Sequence, residues 1–277
     1  MRTDVVSPAS LVDVNRYPVE DLGSETARAV IAGARSQLAA TGAAELPGFV
    51  TPEGVRALVD DAEAIAPRAF HSTGIGTAYL EIPDFDLPDD HPRRWLGPYG
   101  VRAVAYDLIP TTSPLRRLYE WDPVKDLIEA IVDCGPIFRY ADPFGALNLA
   151  VMGEGDELQW HFDQTDFVVS LAIQDADVGG DFEVAPLIRT GDDEHYDDVG
   201  AVLDGERERV ITLPLTPGTL LVFEGRHSLH RVSPIGGTTL RHIGLLAYDT
   251  KPGTVGSDVL RMNRYGRTAP YAQPPTT

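Results

Sequence analysis

A short strand-like run at residues 159–170 contains two residues that can bind a metal ion, His161 and Asp163. Alternate residues of a β-strand point to the same face, so both side chains can enter one pocket. A second imidazole from a distant strand would complete a set of two histidines and one carboxylate. Such a set occupies one side of a metal ion and leaves the other positions open, as in non-haem iron(II) centres that activate oxygen. The spacing therefore predicts an oxygen-activating iron site.

His227 and His230 compete for the role of the third ligand. The segment 234–237, Pro-Ile-Gly-Gly, is typical of a hairpin turn. A hairpin centred there places His230 directly opposite Arg241, and opposed residues share a face. This geometry favours His230 over His227 as the ligand and places Arg241 in the same pocket, whereas His227 and His242 are less well placed; the choice of His230 rests in addition on the resemblance described below.

Arg241 adds a second indication of an acidic ligand beside the metal. A buried guanidinium requires an anion, and its planar fork matches a carboxylate through two parallel hydrogen bonds. The alternative is a salt bridge to one of the 42 Asp and Glu residues of the chain. For Arg241 taken alone, this alternative is the better one.

The chain is strongly acidic. Its 277 residues carry a formal net charge of −19, with a pI near 4.6, which argues against binding to nucleic-acid phosphates. Between Asp175 and Arg209, twelve acidic residues occur with three arginines. We interpret this segment as a solvated, partly mobile loop region; the alternative is that its charge favours a cationic substrate or excludes anionic competitors.

Cys134 is the only cysteine, which excludes an internal disulfide and favours a reducing compartment. Residues 1–8 lack the apolar core of a signal peptide. No run approaches the ~20 apolar residues that span a bilayer. We expect a soluble, cytoplasmic protein without a membrane partner.

The first 135 residues are predicted to form a helical cover and a lid. An irregular arm at residues 1–22 precedes an Ala-rich helix over residues 24–40, which ends before Gly42. The further elements expected in this region are a short strand at 44–50, a helix from Thr51 to about Ile65, a long lid loop at 71–98, a strand at 100–109, and a helix at 113–132 with a break at 122–123.

Short strands separated by turn signals predominate after Pro136. About eight strands in roughly 110 residues fit a double-stranded β-helix, the jelly-roll or cupin class. The predicted fold is mainly β with α: a single domain over residues 1–277, with a jelly-roll core at 136–250, amino-terminal helices packed on one face, and a tail of turns at 251–277. The strands are expected at residues 137–140, 146–152, 157–173, 180–185, 209–213, 219–224, 228–232 and 239–248.

In these residues the chain resembles the Fe(II)/2-oxoglutarate-dependent dioxygenases. Their His-x-Asp…His…Arg pattern matches His161, Asp163, His230 and Arg241. The resemblance is strong over residues 137–250 and looser over 46–65. Its specificity comes from the surrounding motifs, which are Trp-His-Phe-Asp at 160–163, Gly-Gly-Asp-Phe-Glu at 179–183, Pro-Gly-Thr at 217–219 and Leu-His-Arg-Val at 229–232.

More narrowly, the chain looks like the branch that contains halogenases and hydroxylases of free amino acids, which need no carrier protein. Halogenating members have a small residue in place of the carboxylate, which opens a chloride site. Because Asp163 is present, the resemblance implies hydroxylation of an unactivated C–H bond in a free amino acid or a small derivative. The alternative is a desaturase or cyclase of natural-product biosynthesis. A hydroxylase of protein side chains is a further alternative. A non-catalytic cupin-like metal-binding protein is less favoured, because a structural metal site tends to fill all coordination positions, whereas three protein ligands leave some open.

The resemblance also implies the cofactors. His161, Asp163 and His230 would bind Fe(II), with 2-oxoglutarate and O2 as cosubstrates. Arg241 would bind the distal carboxylate of 2-oxoglutarate. The protein would then determine which hydrogen of a small, amino-acid-like substrate faces the metal.

Further polar and aromatic residues are candidates for contacts around the iron. Neighbouring side chains orient the imidazoles of a metal site, and candidates for this role are Asn148 and Gln164. Asn148 is also predicted to bind the cofactor. An amino-acid substrate needs a cation for its carboxylate and an acid or aromatic ring for its amine. Asp166 would need a bulge to enter the pocket, because it is five positions from His161. The candidate substrate-binding residues are Arg102, Arg139, Tyr79, Trp95, Gln164 and Asp166.

Overall fold

The structure is a computed structural model that describes residues 7–271. The described residues include seven helices, of which the first five pack on one face of a large antiparallel sheet. No helix in this range is long and apolar enough to cross a membrane. The helices are α1 (Pro8–Leu11), α2 (Glu25–Thr41), α3 (Pro52–Ile65), α4 (Pro114–Glu120), α5 (Asp122–Val132), α6 (Tyr196–Leu203) and α7 (Asp258–Tyr265).

Thirteen strands are found in the same range, eleven of them in one sheet. They are β1 (Ala43–Leu46), β2 (Phe70–Thr77), β3 (Leu96–Val104), β4 (Phe138–Arg139), β5 (Leu147–Met152), β6 (Glu157–His161), β7 (Val168–Gln174), β8 (Phe182–Ala185), β9 (Ile211–Leu213), β10 (Leu220–Phe223), β11 (Leu229–Val232), β12 (Arg241–Leu246) and β13 (Tyr248–Asp249). The order in the sheet is β1-β10-β7-β12-β5-β3-β6-β11-β8-β9, with β2 beside β3, while β4 and β13 form a separate pair.

The sheet curls so that its two ends face each other and enclose the interior of a roll. The ring of Phe223 on β10, next to one end of the strand order, lies 5.2 Å from the ring of Phe182 on β8, next to the other end. Phe223 also lies 4.8 Å from the ring of His230 on β11. This antiparallel roll with helices on one face confirms the predicted jelly-roll or cupin-like class.

Alternation along the strands separates the helix-covered face from the interior of the roll. On β5, Leu147, Leu149 and Val151 join the large buried cluster that contains residues of α1 to α5. The intervening Ala150 and Met152 belong to a second cluster with residues of β7 and β12. Each fully buried aliphatic side chain stabilises the fold by about 1.5–3 kcal/mol. The core strands are therefore held from both faces.

Capping residues begin and end the helices where the sequence predicts them. The hydroxyls of Ser24 and Thr51 each accept a hydrogen bond from a backbone amide in the first turn of α2 and α3. Gly42 adopts a left-handed conformation, with φ of 66°, after the last residue of α2, as glycines at helix ends do. The predicted break between two helices is confirmed, because α4 ends at Glu120 and α5 begins at Asp122.

The amino-terminal region is more than the predicted helical cover. Three of its strands, β1, β2 and β3, join the sheet. The lid loop predicted at residues 71–98 contains β2, which pairs with β3 along its whole length. The arm predicted at residues 1–22 contains α1 and packs on the core, where Leu11 is buried; its residues 1–6 lie outside the described part.

Three further elements of the carboxy-terminal half differ from prediction. The strand expected at residues 157–173 is two strands, β6 and β7, joined by a loop. The acidic segment that we interpreted as loop contains α6. The tail of turns expected at residues 251–277 contains α7, and its residues 272–277 lie outside the described part.

The prediction of a hairpin around residues 234–237 is wrong. β11 and β12 are not neighbours, because β5, β3 and β6 lie between them. The backbone N–H and C=O of Ile235 bond instead to the turn before β6, each at 2.9 Å, so the segment crosses from one side of the roll to the other. His230 therefore lies opposite His161 and not opposite Arg241.

Candidate metal centre and active site

Two neighbouring strands bring the predicted metal ligands together. His161 ends β6 and lies directly opposite His230 on β11, with ring centroids 4.2 Å apart. Asp163 follows β6, and its carboxylate oxygens lie 3.5 Å from Nε2 of His230 and 3.9 Å from Nε2 of His161. Donor atoms from the three residues all lie within 4.8 Å of one another. They can bind one metal ion from one side.

Backbone carbonyls hold both imidazoles in the orientation that a metal requires. Nδ1 of His161 lies 2.8 Å from the carbonyl oxygen of Gln159, and Nδ1 of His230 lies 3.0 Å from that of Ser228. A proton on Nδ1 is donated to each carbonyl, which leaves the lone pair of Nε2 for the metal. The sequence carries no signal for these partners, because any residue supplies a carbonyl.

The electrostatics also suit a metal. Burial and, to a smaller extent, the nearby His230 and Arg264 together lower the pKa of His161 to about 4, against the opposing effects of Asp163 and the Gln159 carbonyl. The His161 imidazole is therefore neutral at pH 7, as a metal ligand must be. Two imidazoles and one carboxylate with open positions fit Fe(II). Between residues 7 and 271 no second group of three or more His, Cys, Asp or Glu residues meets the same distance limit.

Arg241 lies inside the roll, although not through the predicted hairpin. Burial lowers the pKa of its guanidinium, and with the partly opposing effect of the nearby Asp175 and Asp181 the resulting pKa is about 10. Within the described chain its side chain forms no ion pair, and its one hydrogen-bond acceptor is Sδ of Met152 at 3.8 Å. A cavity of about 330 Å³ lies against the guanidinium and is also lined by Phe182, whose ring is 5.5 Å from that of His230. Arg241 is thus a buried cation close to the metal ligands.

A family model described as halogenase D matches residues 89–256. This is more than half of the chain, and it includes the three predicted ligands and Arg241. The chain belongs to the halogenase D family. No curated protein matches its sequence.

Solved structures share the roll of this halogenase D family member. An oxidoreductase of the 2OG-Fe(II) oxygenase family from Burkholderia pseudomallei is 15% identical, covers 81% of this chain and 92% of its own, and has a TM-score of 0.50. AviO1 from Streptomyces viridochromogenes Tue57 is 20% identical, with 80% and 96% covered and a TM-score of 0.55. A prolyl hydroxylase from Trichoplax adhaerens is 14% identical, with 83% and 95% covered and a TM-score of 0.52. At these identities the similarity establishes the fold.

A cleft of about 290 Å³ opens beside Asp163 in this halogenase D fold. Its walls come from the loop after β2, the loop after β6, the end of β12, and α7. Most of the lining side chains are aliphatic or aromatic. The residues that line it include Leu80, Tyr140, Asn148, Asp163, Gln164, Phe167, Val168, Leu245, Arg264 and Tyr265.

Asn148 and Gln164 both line the cleft but do not orient the imidazoles. Oδ1 of Asn148 accepts a hydrogen bond of 2.7 Å from the hydroxyl of Tyr265 on α7, and its amide nitrogen donates to two backbone carbonyls. The amide nitrogen of Gln164 donates to the carbonyl of Tyr79 at 3.0 Å. Carbonyl groups engage Nδ1 of both ligand histidines, so the predicted orienting role is not seen. The assignment of Asn148 to the cofactor site stays a prediction.

The predicted substrate cations are engaged elsewhere. Arg102 forms an ion pair with the buried carboxylate of Asp156. Arg139 forms one of 2.7 Å with Asp122. Neither lines the cleft. Both arginines therefore already pair with a carboxylate of the protein, and their role in substrate binding stays a prediction.

The predicted aromatic and acidic contacts also lie outside the cleft. Tyr79 is buried in a cluster with Phe162, and Trp95 packs against that cluster. Asp166 lies in the loop after β6 and forms an ion pair of 2.7 Å with Arg226. No bulge brings it to the metal, because the strand ends at His161. The roles of these three residues in substrate binding stay predictions.

Proposed function

We propose that the chain is an Fe(II)/2-oxoglutarate-dependent oxygenase that hydroxylates an unactivated C–H bond of a free amino acid or a small amino-acid derivative. The observation that carries the proposal is the convergence of Asp163 with His161 and His230 within 4.8 Å. When bound there, Fe(II) with 2-oxoglutarate and O2 supplies the oxidation. The carboxylate of Asp163 fills the place that, as the resemblance implies, halogenating members leave to chloride. Oxygen transfer is therefore favoured within a family named for halogenation.

Arg241 supports 2-oxoglutarate as the cosubstrate. Its guanidinium is buried among the described residues without an ion pair, and an unpaired buried charge is costly. A dicarboxylate that reaches this guanidinium supplies the missing anion through two charge-assisted hydrogen bonds. The nearby Asp175 and Asp181 offset the cost of burying Arg241 only in part, and the complex would offset the remainder, which favours a binding role over a purely structural one.

The cleft supports a small substrate. Its volume of about 290 Å³ is just below the roughly 300–1,000 Å³ typical of pockets for small molecules. Its apolar walls exclude water around the C–H bond to be oxidised, and its few polar groups fix the orientation of the substrate. A free amino acid has the size and the mixture of charged and apolar parts that such a cleft accommodates.

Mass spectrometry of the product tests the proposal. The purified protein is supplied with Fe(II), 2-oxoglutarate, O2 and chloride, together with each proteinogenic amino acid in turn. We expect oxygen-dependent formation of succinate, and an added mass of one oxygen atom in the substrate. A loss of two hydrogens would instead indicate desaturation or ring closure, and an added chlorine would indicate halogenation. Absence of oxygen-dependent succinate with every amino acid would contradict the proposed activity.

Matched histidine variants connect the activity to the proposed ligands. His161→Ala and His230→Ala remove one ligand each, and we expect both to lose turnover and most Fe(II) binding. His227→Ala changes the histidine that competes with His230 in the sequence but has no place in the observed set, so it should retain both. Turnover by either ligand variant at the level of His227→Ala would refute the assignment.

A further inference from the structure

The side chain of Arg264 faces the cleft beside the metal ligands. It lies in the last turn of α7, is half-buried, and lines the same cleft as Asp163. Its positive charge makes a small contribution to the lowered pKa of the His161 imidazole. Within residues 7–271 no carboxylate lies within ion-pair distance of its guanidinium, whose neighbour is the hydroxyl of Tyr265. Arg264 is therefore a positive charge available to a ligand in the cleft.

Several contacts fix α7 at this position. Tyr265 is buried, stacks on Phe144 with centroids 5.5 Å apart, and donates its hydroxyl hydrogen to Asn148 inside the roll. Arg261, one turn earlier, pairs with the buried carboxylate of Asp142 at 3.4 Å. The helix is thus attached to the core on both sides of Arg264. A guanidinium held on a fixed helix recognises an anion at a defined place, because little side-chain freedom is lost on binding.

The other charged groups of the cleft already have partners. Arg261 is paired with Asp142 and Asp258. Asp142 in addition accepts hydrogen bonds from two backbone amides. Asp163 belongs to the metal set. Among the described lining residues, Arg264 is the cation that lacks a carboxylate, and the rest of the wall is largely apolar.

We propose that Arg264 binds the carboxylate of the prime substrate, and that the apolar wall formed by Leu80, Phe167, Val168 and Leu245 holds its aliphatic chain. The proposal rests on the proposed function and narrows its substrate class to aliphatic carboxylates, with or without an amine. With the carboxylate fixed at Arg264, the length of the chain determines which carbon lies beside Asp163 and the metal. Arg264 is then a substrate-binding residue that sets the site of oxidation.

Equilibrium binding tests this assignment without turnover. The enzyme loaded with Fe(II) and 2-oxoglutarate is titrated in the absence of oxygen, and the visible absorption band of the complex reports substrate binding. The probes are the aliphatic L-amino acids, their primary amides, and straight-chain monocarboxylates that lack an amine. The variants are Arg264→Gln and Arg264→Lys, with Asn263→Ala as the control, because Asn263 is exposed on the same turn of α7.

We expect the wild-type protein to bind at least one acid about tenfold or more tightly than its amide, since a charge-assisted hydrogen bond is at stake. Arg264→Gln should remove this preference, Arg264→Lys should retain part of it, and Asn263→Ala should keep it whole. The affinity for 2-oxoglutarate should be the same in all four proteins. Loss of 2-oxoglutarate binding in Arg264→Gln, or an unchanged preference for the acid in that variant, would overturn the assignment.

The two sets of acids separate this inference from the proposed function. Binding of the amine-free carboxylates alone, still dependent on Arg264, would support the inference and contradict an amino-acid substrate. Binding of amino acids that is insensitive to Arg264→Gln would contradict the inference and leave the amino-acid substrate in place. If no carboxylate of either set binds to the wild-type protein, the inference is wrong.

Discussion

Gly225 approaches the carboxylate of Asp163 so closely that residue 225 has no room for a side chain. The backbone N–H of Asp163 donates a hydrogen bond of 3.0 Å to the carbonyl of Gly225. A methyl group on Gly225 would overlap Oδ2 of Asp163. The turn between β10 and β11 therefore fixes the position of the metal-binding carboxylate, in addition to leading into the strand that carries His230.

Gly225→Ala is expected to displace the Asp163 carboxylate and weaken Fe(II) binding by about 10–100-fold, the range seen when groups that support metal ligands are changed. Titration of the metal-free protein with Fe(II) under anaerobic conditions measures this affinity. Gly191→Ala is the control, because a methyl group there meets no atom within 4 Å. Equal Fe(II) affinity in the two variants would show that the carboxylate tolerates the overlap.

The fold was largely predictable because its signals are local. Ser24 and Thr51 cap helices directly, and alternation on β5 separates residues of the two faces. The course of residues 234–237 was not predictable from local turn residues, which is why the predicted hairpin was wrong. Gly236 pairs with Val178, and the backbone of Ile235 bonds to the turn before β6. These partners are distant in the sequence.

The metal ligands were predictable because their signals are short sequence motifs. The cleft was not, because it depends on how distant segments pack together. His161 and Asp163 are only two positions apart in the sequence, and His230 follows from the motif order. Arg264 lies on a helix in a region expected to be turns, and its role depends on where α7 packs. Signals for that helix were present: Ser257 accepts a hydrogen bond from the amide of Leu260, and Gly266 follows the last residue with φ of 67°.

Arg241→Ala is expected to raise the concentration of 2-oxoglutarate needed for half-maximal binding by about 10–100-fold, because charge-assisted hydrogen bonds to a carboxylate are lost. The affinity for the prime substrate should change much less. Anaerobic titration of the Fe(II)-loaded protein with 2-oxoglutarate measures the effect. Arg209→Ala serves as the control, since Arg209 forms an exposed pair with Asp198. An unchanged requirement in Arg241→Ala would assign the cosubstrate carboxylate to another cation.

Asp163→Gly is expected to abolish hydroxylation, with a loss of turnover larger than the ~10–100-fold caused by changes around a ligand. The vacated position should then be open to chloride. Product mass spectra recorded with and without chloride test both statements. Asp166→Gly removes a carboxylate from the same loop without touching the metal set, because Asp166 pairs with Arg226. Hydroxylation by Asp163→Gly at the rate of the control would exclude the carboxylate as a ligand.

Tyr265→Phe is expected to loosen the attachment of α7. The change removes the hydroxyl that donates to Oδ1 of Asn148 and leaves a buried acceptor without a partner, which costs about 1–3 kcal/mol. Substrate affinity should fall, because Arg264 is next to Tyr265, whereas 2-oxoglutarate affinity should not. Hydrogen exchange of α7, compared with that of α3, measures the loosening. Equal protection of α7 in the variant and the wild-type protein would show that this bond does not hold the helix.

Because of His242, the free energy of unfolding is expected to depend on pH even without the metal. Its ring is buried on β12, and neither nitrogen has a hydrogen-bond partner among the described residues. Burial lowers its pKa from 6.5 to about 4, so the unfolded chain binds a proton before the folded protein does. The stability contributed by the neutral ring is present above pH 6.5 and falls as the pH drops toward 4.

His242→Leu should remove this dependence. Between pH 7 and pH 4 the free energy of unfolding of the variant should rise relative to that of the wild-type protein by up to about 3 kcal/mol, since each pKa unit corresponds to ~1.4 kcal/mol. Urea unfolding of both metal-free proteins across this range measures the difference, and His195→Leu, at an exposed histidine, should follow the wild-type curve. If the free energies of unfolding of His242→Leu and the wild-type protein change in parallel with pH, the pKa of His242 is the same in the folded and unfolded states. The protonated ring would then have a partner in the folded protein.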